Sequence, residues 1–286
     1  MNGLRLVVGT SRGRSLAISH MLIAFGLISA VVQFAGQVFG LKFTDPGLLT
    51  AVFLGLCVVW GFVRAYPRSR IERQFTHPDL TVVIKIGDLL EEKADLAVGF
   101  SDTFDTDIED DAIINRGSLQ GQLLTRTYGG DRSRLDTELS KALAAVNPVR
   151  VETRAAKPKG KLKRYPIGTV ALIGSPKQRI YCVAYSRIDN GLIARSSMND
   201  LWISLDRLWE AMAARGQLGR VAIPIMGAEL ARIYALDREN LLKVIVLSFM
   251  AHSRMQAVSR ELVVVIRPQD ADKIDLLEMR AFLAAL

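Results

Sequence analysis

The sequence is short of the residues that most often carry chemistry. Its two cysteines, Cys57 and Cys182, and three histidines, His20, His77 and His252, are scattered along 286 residues. None has the spacing of a zinc site, a disulfide framework or a histidine-based triad. Unpaired cysteines fit a reducing compartment. No G-x-G-x-x-G follows a strand pattern and no Walker loop occurs, which excludes the common dinucleotide and P-loop fingerprints. The Gly9–Gly13 stretch has no strand before it and reads as a flexible end. Repeats and low-complexity tracts are absent, so a solenoid is excluded. No catalytic residue, resident metal or cofactor is expected from these residues.

Charge is missing from two stretches. Between Ser15 and Leu41 the only titratable side chain is His20, and Met21–Gly40 has the length that a hydrocarbon core requires. Leu48–Val63 has no charge at all, and Ala65 and Tyr66 extend it to a headgroup boundary. A cleaved signal peptide has a shorter apolar core, and buried soluble helices carry polar residues at helical period. The expectation is a transmembrane hairpin over 15–66, with spans at about 17–40 and 48–65. The turn Leu41–Gly47, with Lys42, Asp45 and Pro46, lies between them. Arg5, Arg12 and Arg14 precede the first span, and Arg64, Arg68, Arg70 and Arg73 follow the second. The positive-inside rule puts residues 1–14, the basic linker 67–79 and the rest of the chain in the cytoplasm.

The positive charge is concentrated there. Residues 1–80 hold eight Lys and Arg against three Asp and Glu; the remaining 206 hold 29 against 26. That favours anionic lipid and argues against nucleic acid, which needs a basic soluble domain. Along the first span Gly26, Ser29, Ala30, Gln33, Gln37 and Gly40 share roughly one face. Small residues let helices approach, and a glutamine amide in lipid needs a partner on another helix. This face packs either against the second span alone or also against other copies.

From residue 80 to 286 the pattern is an α/β domain. Strands are expected at Thr81–Ile86, Leu96–Ser101, Gly168–Ile173, Arg179–Tyr185, Val221–Ile225 and Leu262–Ile266. Helices are expected at Leu119–Thr127, Ser133–Val146, Met198–Arg215 and Arg238–Ala251, and a closing one from about Asp270. Asp102–Asp111 reads as an acidic loop and Lys157–Arg164 as a basic, solvated connector. Such a succession gives a mixed sheet covered on both faces, a three-layer fold.

Ligands in open α/β sheets sit outside the carboxyl ends of the strands. Three strand-to-loop transitions therefore stand out. Ile86 leads into Gly87-Asp88-Leu89, Ser101 into Asp102-Thr103-Phe104-Asp105-Thr106, and Ile225 into Met226-Gly227-Ala228-Glu229-Leu230-Ala231-Arg232. Asp88 is placed to accept from an amine or hydroxyl, and a glycine lets backbone amides approach phosphate.

Those transitions, in that order, resemble a macro domain, the ADP-ribose-binding α/β/α module, over roughly residues 80–268. The resemblance implies that Gly87, Asp88 and Leu89 meet adenine. Ser101, Asp102, Phe104, Asp105 and Thr106 would surround the distal ribose. Met226, Gly227, Ala228, Glu229, Leu230 and Arg232 would clasp the diphosphate. With the hairpin in front, Phe104-Asp105-Thr106 and Ile223-Pro224-Ile225-Met226-Gly227 resemble the membrane-anchored macro-domain effector family of type II Thoeris anti-phage systems.

That family implies a bacterial inner-membrane protein and a partner TIR-domain enzyme that makes an ADP-ribose-derived signal. Signal binding would drive self-association and membrane disruption. Hydrolytic macro domains carry asparagine where Asp102 stands, followed by a glycine run missing here, so the resemblance implies a receptor rather than an enzyme. Asp102 and Asp105 would favour a signal with a basic or donating distal group, such as histidine-ADP-ribose. A membrane-tethered ADP-ribosyl hydrolase and a passive nucleotide-responsive scaffold remain open alternatives.

Overall fold

The structure is a computed structural model that describes residues 11–40, 46–65, 70–228, 233 and 236–286. The N-terminal end, the centre of the expected external turn, residues 66–69, and three expected ligand contacts, Glu229, Leu230 and Arg232, lie outside them. The chain divides into two compact units, 70–274 and a second formed by 1–69 with 275–286.

The smaller unit contains α1 (Ser11–Phe39) and α2 (Pro46–Ala65). Gly40, at φ +63°, follows α1, and Pro46 opens α2 where no donor is needed. The two helices pack through Ala17, Met21, Phe62 and Ala65. A side chain at Gly61 would fall 2.8 Å from the Ala17 carbonyl oxygen, so glycine permits this approach. Elsewhere both helices expose large apolar side chains, among them Leu22, Leu27, Val31, Val52 and Val63. The stretch Arg14–Val38 is long and apolar enough to cross a membrane; the apolar stretch Thr50–Ala65 is shorter. The expected polar face does not form the α1–α2 contact: Gly26, Ala30, Gln33 and Gln37 are exposed.

The larger unit is built on one mixed sheet. Its strands are β1 (Arg70–Thr76), β2 (Asp79–Ile86), β3 (Asp95–Ser101), β6 (Val170–Ser175), β7 (Gln178–Ile188), β9 (Arg220–Pro224) and β10 (Glu261–Ile266). They lie in the order β1-β2-β10-β9-β3-β7-β6. The strands from β2 to β7 are parallel, and β1 and β6 are antiparallel edges. Val83, Val263, Ala222, Leu96 and Ile180 align across the parallel strands and share one core cluster. Parallel strands buried on both faces need such continuous β-branched runs.

Leu135 and Leu139 of α4 (Arg132–Ala142) belong to that cluster, with Leu123 and Leu124 of the π-turn that follows α3 (Leu119–Gln122). On the other face lie α5 (Met198–Arg215) and α6 (Arg238–Met255), which pack on each other. Trp209 stands edge-on to Phe249 at 5.3 Å and donates from Nε1 to Ser248 Oγ at 3.0 Å. Ser197 and Asp200 cap α5 reciprocally.

Four expectations are corrected. The segment read as a basic linker contains β1, whose Ile71 and Phe75 are buried while the charged residues between them face outward. The sheet unit therefore begins at Arg70, not at 80. The closing helix does not start at Asp270: a 3-10 turn at Pro268–Lys273 ends first, and Asp275 then caps α7 (Leu276–Ala285), which packs with α1. The connector Lys157–Arg164 is solvated only in part, with Pro158, Lys159 and Lys163 exposed. It runs into a small hairpin, β4 (Arg150–Val151) with β5 (Lys163–Arg164), and Lys157 is fully buried. Lastly, β8 (Ala194–Arg195) pairs with the end of β7, where no strand was expected.

Candidate functional site

The parallel strands all end on one side of the sheet, and the loops leaving them enclose two cavities. One, of about 200 Å³, lies over the ends of β2, β10 and β9; another, of about 100 Å³, lies over β9, β3 and β7. Leu119, Pro224 and Ile225 line both, so the two form one cleft.

At the first end stand Gly87, Asp88 and Leu89, held because Gly87 N continues the ladder to Ile266 O at 2.9 Å. Asp88 Oδ1 accepts from Leu90 N at 2.9 Å, and Oδ2 pairs with Arg126 Nη1. Arg126 also donates to Gln122 Oε1 at 3.1 Å. The carboxylate is thus an oriented acceptor at the cavity wall, one third exposed. Across the cavity, Arg238, Arg267 and Lys273 converge on Asp270 at 3.2, 2.8 and 3.0 Å. Burial opposes ionisation of Asp270, but these cations outweigh it and hold its carboxyl below the usual range.

Neutral hydrogen-bonding groups line the other end: Ser101, Asn115, Ser118, Gln120, Tyr185 and Ser186, beside Met226 and Gly227. Asn115 Oδ1 accepts from Gly117 N at 2.8 Å, and Ser118 Oγ accepts from Gly121 N at 3.1 Å as the cap of α3. Gly99 leaves room for the Tyr185 ring, since a Cβ there would lie 2.5 Å from Cε1. Gly227 has φ +81°, and a Cβ would meet Ile233 Cδ1 at 2.7 Å. Its freedom from a side chain is required by the fold itself.

The loop after β3 differs from the expectation. Asp102, Phe104, Asp105 and Thr106 do not line either cavity. Asp102 accepts from Arg164 Nη1 at 2.9 Å and Ile188 N at 3.0 Å. Asp105 accepts from Thr103 Oγ1 at 2.6 Å and Lys157 Nζ at 3.0 Å. Phe104 is buried, 5.7 Å from both Phe100 and Tyr165. Thr106 donates to Asp136 Oδ1 at 2.6 Å. Both carboxylates are buried against a paired cation, so both are committed within the fold. Arg164 also donates to Glu152 at 2.7 Å, which draws that carboxyl below its ordinary value.

The cleft thus collects Asp88, Leu89, Ser101, Met226, Gly227 and Ala228 from the expected set. It adds Asn115, Ser118, Gln122, Tyr185, Arg238 and Arg267, which the sequence reading missed. Asn115-Arg116-Gly117-Ser118 carried a legible signal, because Asn and Ser at those positions cap a turn and a helix. Among the described residues no cluster of His, Cys, Asp or Glu could hold a metal.

A mixed sheet between helical layers, with its cleft at the strand ends, is the architecture of a macro domain. Two solved single-substitution mutants of the Oceanobacillus iheyensis macrodomain are similar to this chain. One has a TM-score of 0.50 at 12% identity, covering 76% of this chain and 96% of that one. The other has a TM-score of 0.48 at 11% identity, covering 76% and 98%. No curated protein matches the sequence. The profile described as "Thoeris protein ThsA, Macro domain" matches residues 82–267. The chain belongs to that family.

Proposed function

We propose that this protein is a membrane-held receptor whose cleft binds an ADP-ribose-derived signal, and that binding drives assembly and membrane disruption. The observation that carries the binding half is the cleft itself. An oriented Asp88 at one end suits an adenine amine, and hydroxyl and amide groups at the other suit the hydroxyls of a ribose. Membership of the ThsA macro-domain family supports an ADP-ribose-type ligand, and a partner TIR-domain enzyme as its source. With Asp102 and Asp105 committed to Arg164 and Lys157, a histidine conjugate rests on the family likeness alone.

Binding rather than hydrolysis is favoured by the neutral side chains around Ser101 and Asn115, which suit hydroxyls better than they activate water. The exposed apolar surface of α1 and α2 favours lipid, and arginines at both ends favour a two-span hairpin with both termini cytoplasmic. The unpacked Gly26–Gln37 face favours contact between copies.

Calorimetry on the full chain in detergent, with ADP-ribose and its conjugates, tests the binding half; no heat with any of them sinks it. Mass spectrometry of what copurifies from infected cells identifies the signal, and release of free ADP-ribose from a conjugate would restore the hydrolase reading. A cysteine at Thr44 should react with an impermeant reagent in intact cells, whereas reaction at Ser69 would reverse the orientation.

A further inference from the structure

We propose that residues 267–275 and α7 form a strap that carries the state of the cleft to α1, so that a ligand bound over β2, β10 and β9 changes how α7 sits against that helix. The inference rests on reading the cleft as a ligand site, and it names the part of the fold through which that site would regulate the apolar hairpin.

The strap starts in the cleft wall. Arg267, Pro268, Gln269 and Asp270 all line the cavity that Asp88 lines. Asp275 then caps α7, and α7 packs with α1. The two compact units divide at this cap: Ile274 belongs to the sheet unit and residues 275–286 to the unit that holds α1 and α2. Residues 267–286 contain no glycine, and each step between the cavity and α7 is fastened. Asp270 N donates to Arg267 O at 2.9 Å, and the Asp270 carboxylate takes Arg267 Nη2 at 2.8 Å and Lys273 Nζ at 3.0 Å. Ile274 is buried. Leu277 N donates to Asp275 Oδ1 at 2.8 Å, and Met279 N donates to Asp275 O at 3.0 Å, which closes the first turn of α7. A chain so fastened moves as one piece, whereas a glycine-rich linker would absorb a displacement.

The ion pairs at Asp270 also join other walls of the cavity to the strap. Arg238 Nε, at the start of α6, lies 3.2 Å from the same carboxylate, and Arg238 Nη2 donates to Ala228 O at 3.0 Å in the loop that follows β9. Walls from β9, β10 and α6 therefore share one buried anion, 6% exposed, at the head of the strap. These cations are spent on Asp270, and their part here is to hold the walls together rather than to hold the ligand. Coupling between distant sites is carried by such ion-pair networks and rigid elements when they have two arrangements. A ligand that fits one spacing of the walls better than another biases the strap, by no more than that difference in affinity.

Inserting Gly-Ser-Gly-Ser between Ile274 and Asp275 keeps the Asp270 ion pairs and the cap of α7 but makes the strap slack. Amide hydrogen exchange on the full chain in liposomes, with and without ADP-ribose or histidine-ADP-ribose, compares this variant with wild type. In wild type the ligand should change exchange both in residues 267–273 and in α7, by about 5-fold or more. In the variant the change should persist in 267–273 and vanish from α7, with affinity by calorimetry within about 5-fold of wild type. A general stabilisation by ligand would persist in α7 of the variant, so the two effects are told apart. Exchange in α7 that stays unaltered in a wild type that binds, or is altered equally in the variant, overturns the inference and leaves the ligand reading standing. If the insertion itself abolishes binding, exchange in wild-type α7 alone decides. If wild type gives no heat with either probe, the ligand reading of the cleft falls, and the strap falls with it.

Discussion

Lys157 Nζ lies 3.0 Å from Asp105 Oδ2, with 0% and 1% of the two side chains exposed. The ammonium also donates to Lys161 O at 2.6 Å, and Lys161 N donates to the other carboxylate oxygen at 2.5 Å. Gly160, at φ +79°, lets the chain pass this close, since its Cβ would stand 2.8 Å from Asp105 Oδ1. The pair fastens the 150–164 hairpin to the loop that leaves β3. Lys157→Met should therefore cost about 3–5 kcal/mol, because it strands a buried carboxylate. Adding Asp105→Asn should recover at least half of that, since no net charge is then left inside. Thermal or urea unfolding of the full chain in detergent measures both. A single-variant loss below about 1 kcal/mol would make the pair incidental.

This pair also shows where the sequence stops being informative. The acidic run Asp102–Asp111 and the basic run Lys157–Arg164 each look solvated when read alone. Only the fold reveals that they face each other across about 50 residues and neutralise one another. Local pattern was enough for the six main strands and the helices α5 and α6, whose apolar periods are continuous. It failed for β1, where Arg70, Glu72 and Arg73 hide the Ile71–Phe75 alternation. At the site, Gly87-Asp88 and Met226-Gly227 were legible because glycine and a lone carboxylate follow strands. Arg238 and Arg267 were not, because two arginines 29 positions apart meet only once β9 and β10 lie side by side.

The pH dependence follows from Glu152 and Asp270. The hydrogen bond from Arg164 lowers Glu152 from its ordinary 4.5; for Asp270, ordinarily 3.8, burial works the other way but the neighbouring cations prevail. A group whose folded value is depressed contributes stability above its unfolded value and loses it as pH falls through the folded one. Stability owed to these pairs should be flat from about pH 7 down to about pH 5 and decline below about pH 4.5. Glu152→Gln should flatten part of the acid limb in a thermal-midpoint profile. An unchanged limb would mean that the other acceptors of Arg164, namely Asp102, Asn190 Oδ1 and Ile188 O, hold it without Glu152.

Asp88 and Gly227 should separate binding from folding. Asp88→Asn can keep the cap on Leu90 N while removing the charge at the cavity wall, so affinity should fall by about 1.5–3 kcal/mol with little change in stability. Gly227→Val should instead lower the unfolding midpoint, because φ +81° and the Ile233 contact exclude a branched side chain. Calorimetry paired with a melt distinguishes the two variants. Equal affinity in wild type and Asp88→Asn would move the adenine contact elsewhere in the cleft.

Gln33 and Gln37 lie one turn apart on α1, both exposed, and added side chains at Gly26, Gly36 and Gly40 would meet nothing within 4 Å. The α1–α2 contact instead uses Ala17, Met21, Gly61 and Ala65, so this polar strip is open to another copy. In lipid each amide gains roughly 0.6–2 kcal/mol from an interhelical partner. Such gains recur at every contact in an oligomer, so a modest difference in ligand affinity between states could switch assembly sharply. Replacing both glutamines with leucine raises hydrophobicity, so insertion should persist, and the cleft is untouched, so ligand affinity should hold. Ligand-triggered crosslinking and leakage of dye from liposomes should both fall. Leakage equal to wild type at equal ligand would make α1 a simple anchor and favour the passive scaffold.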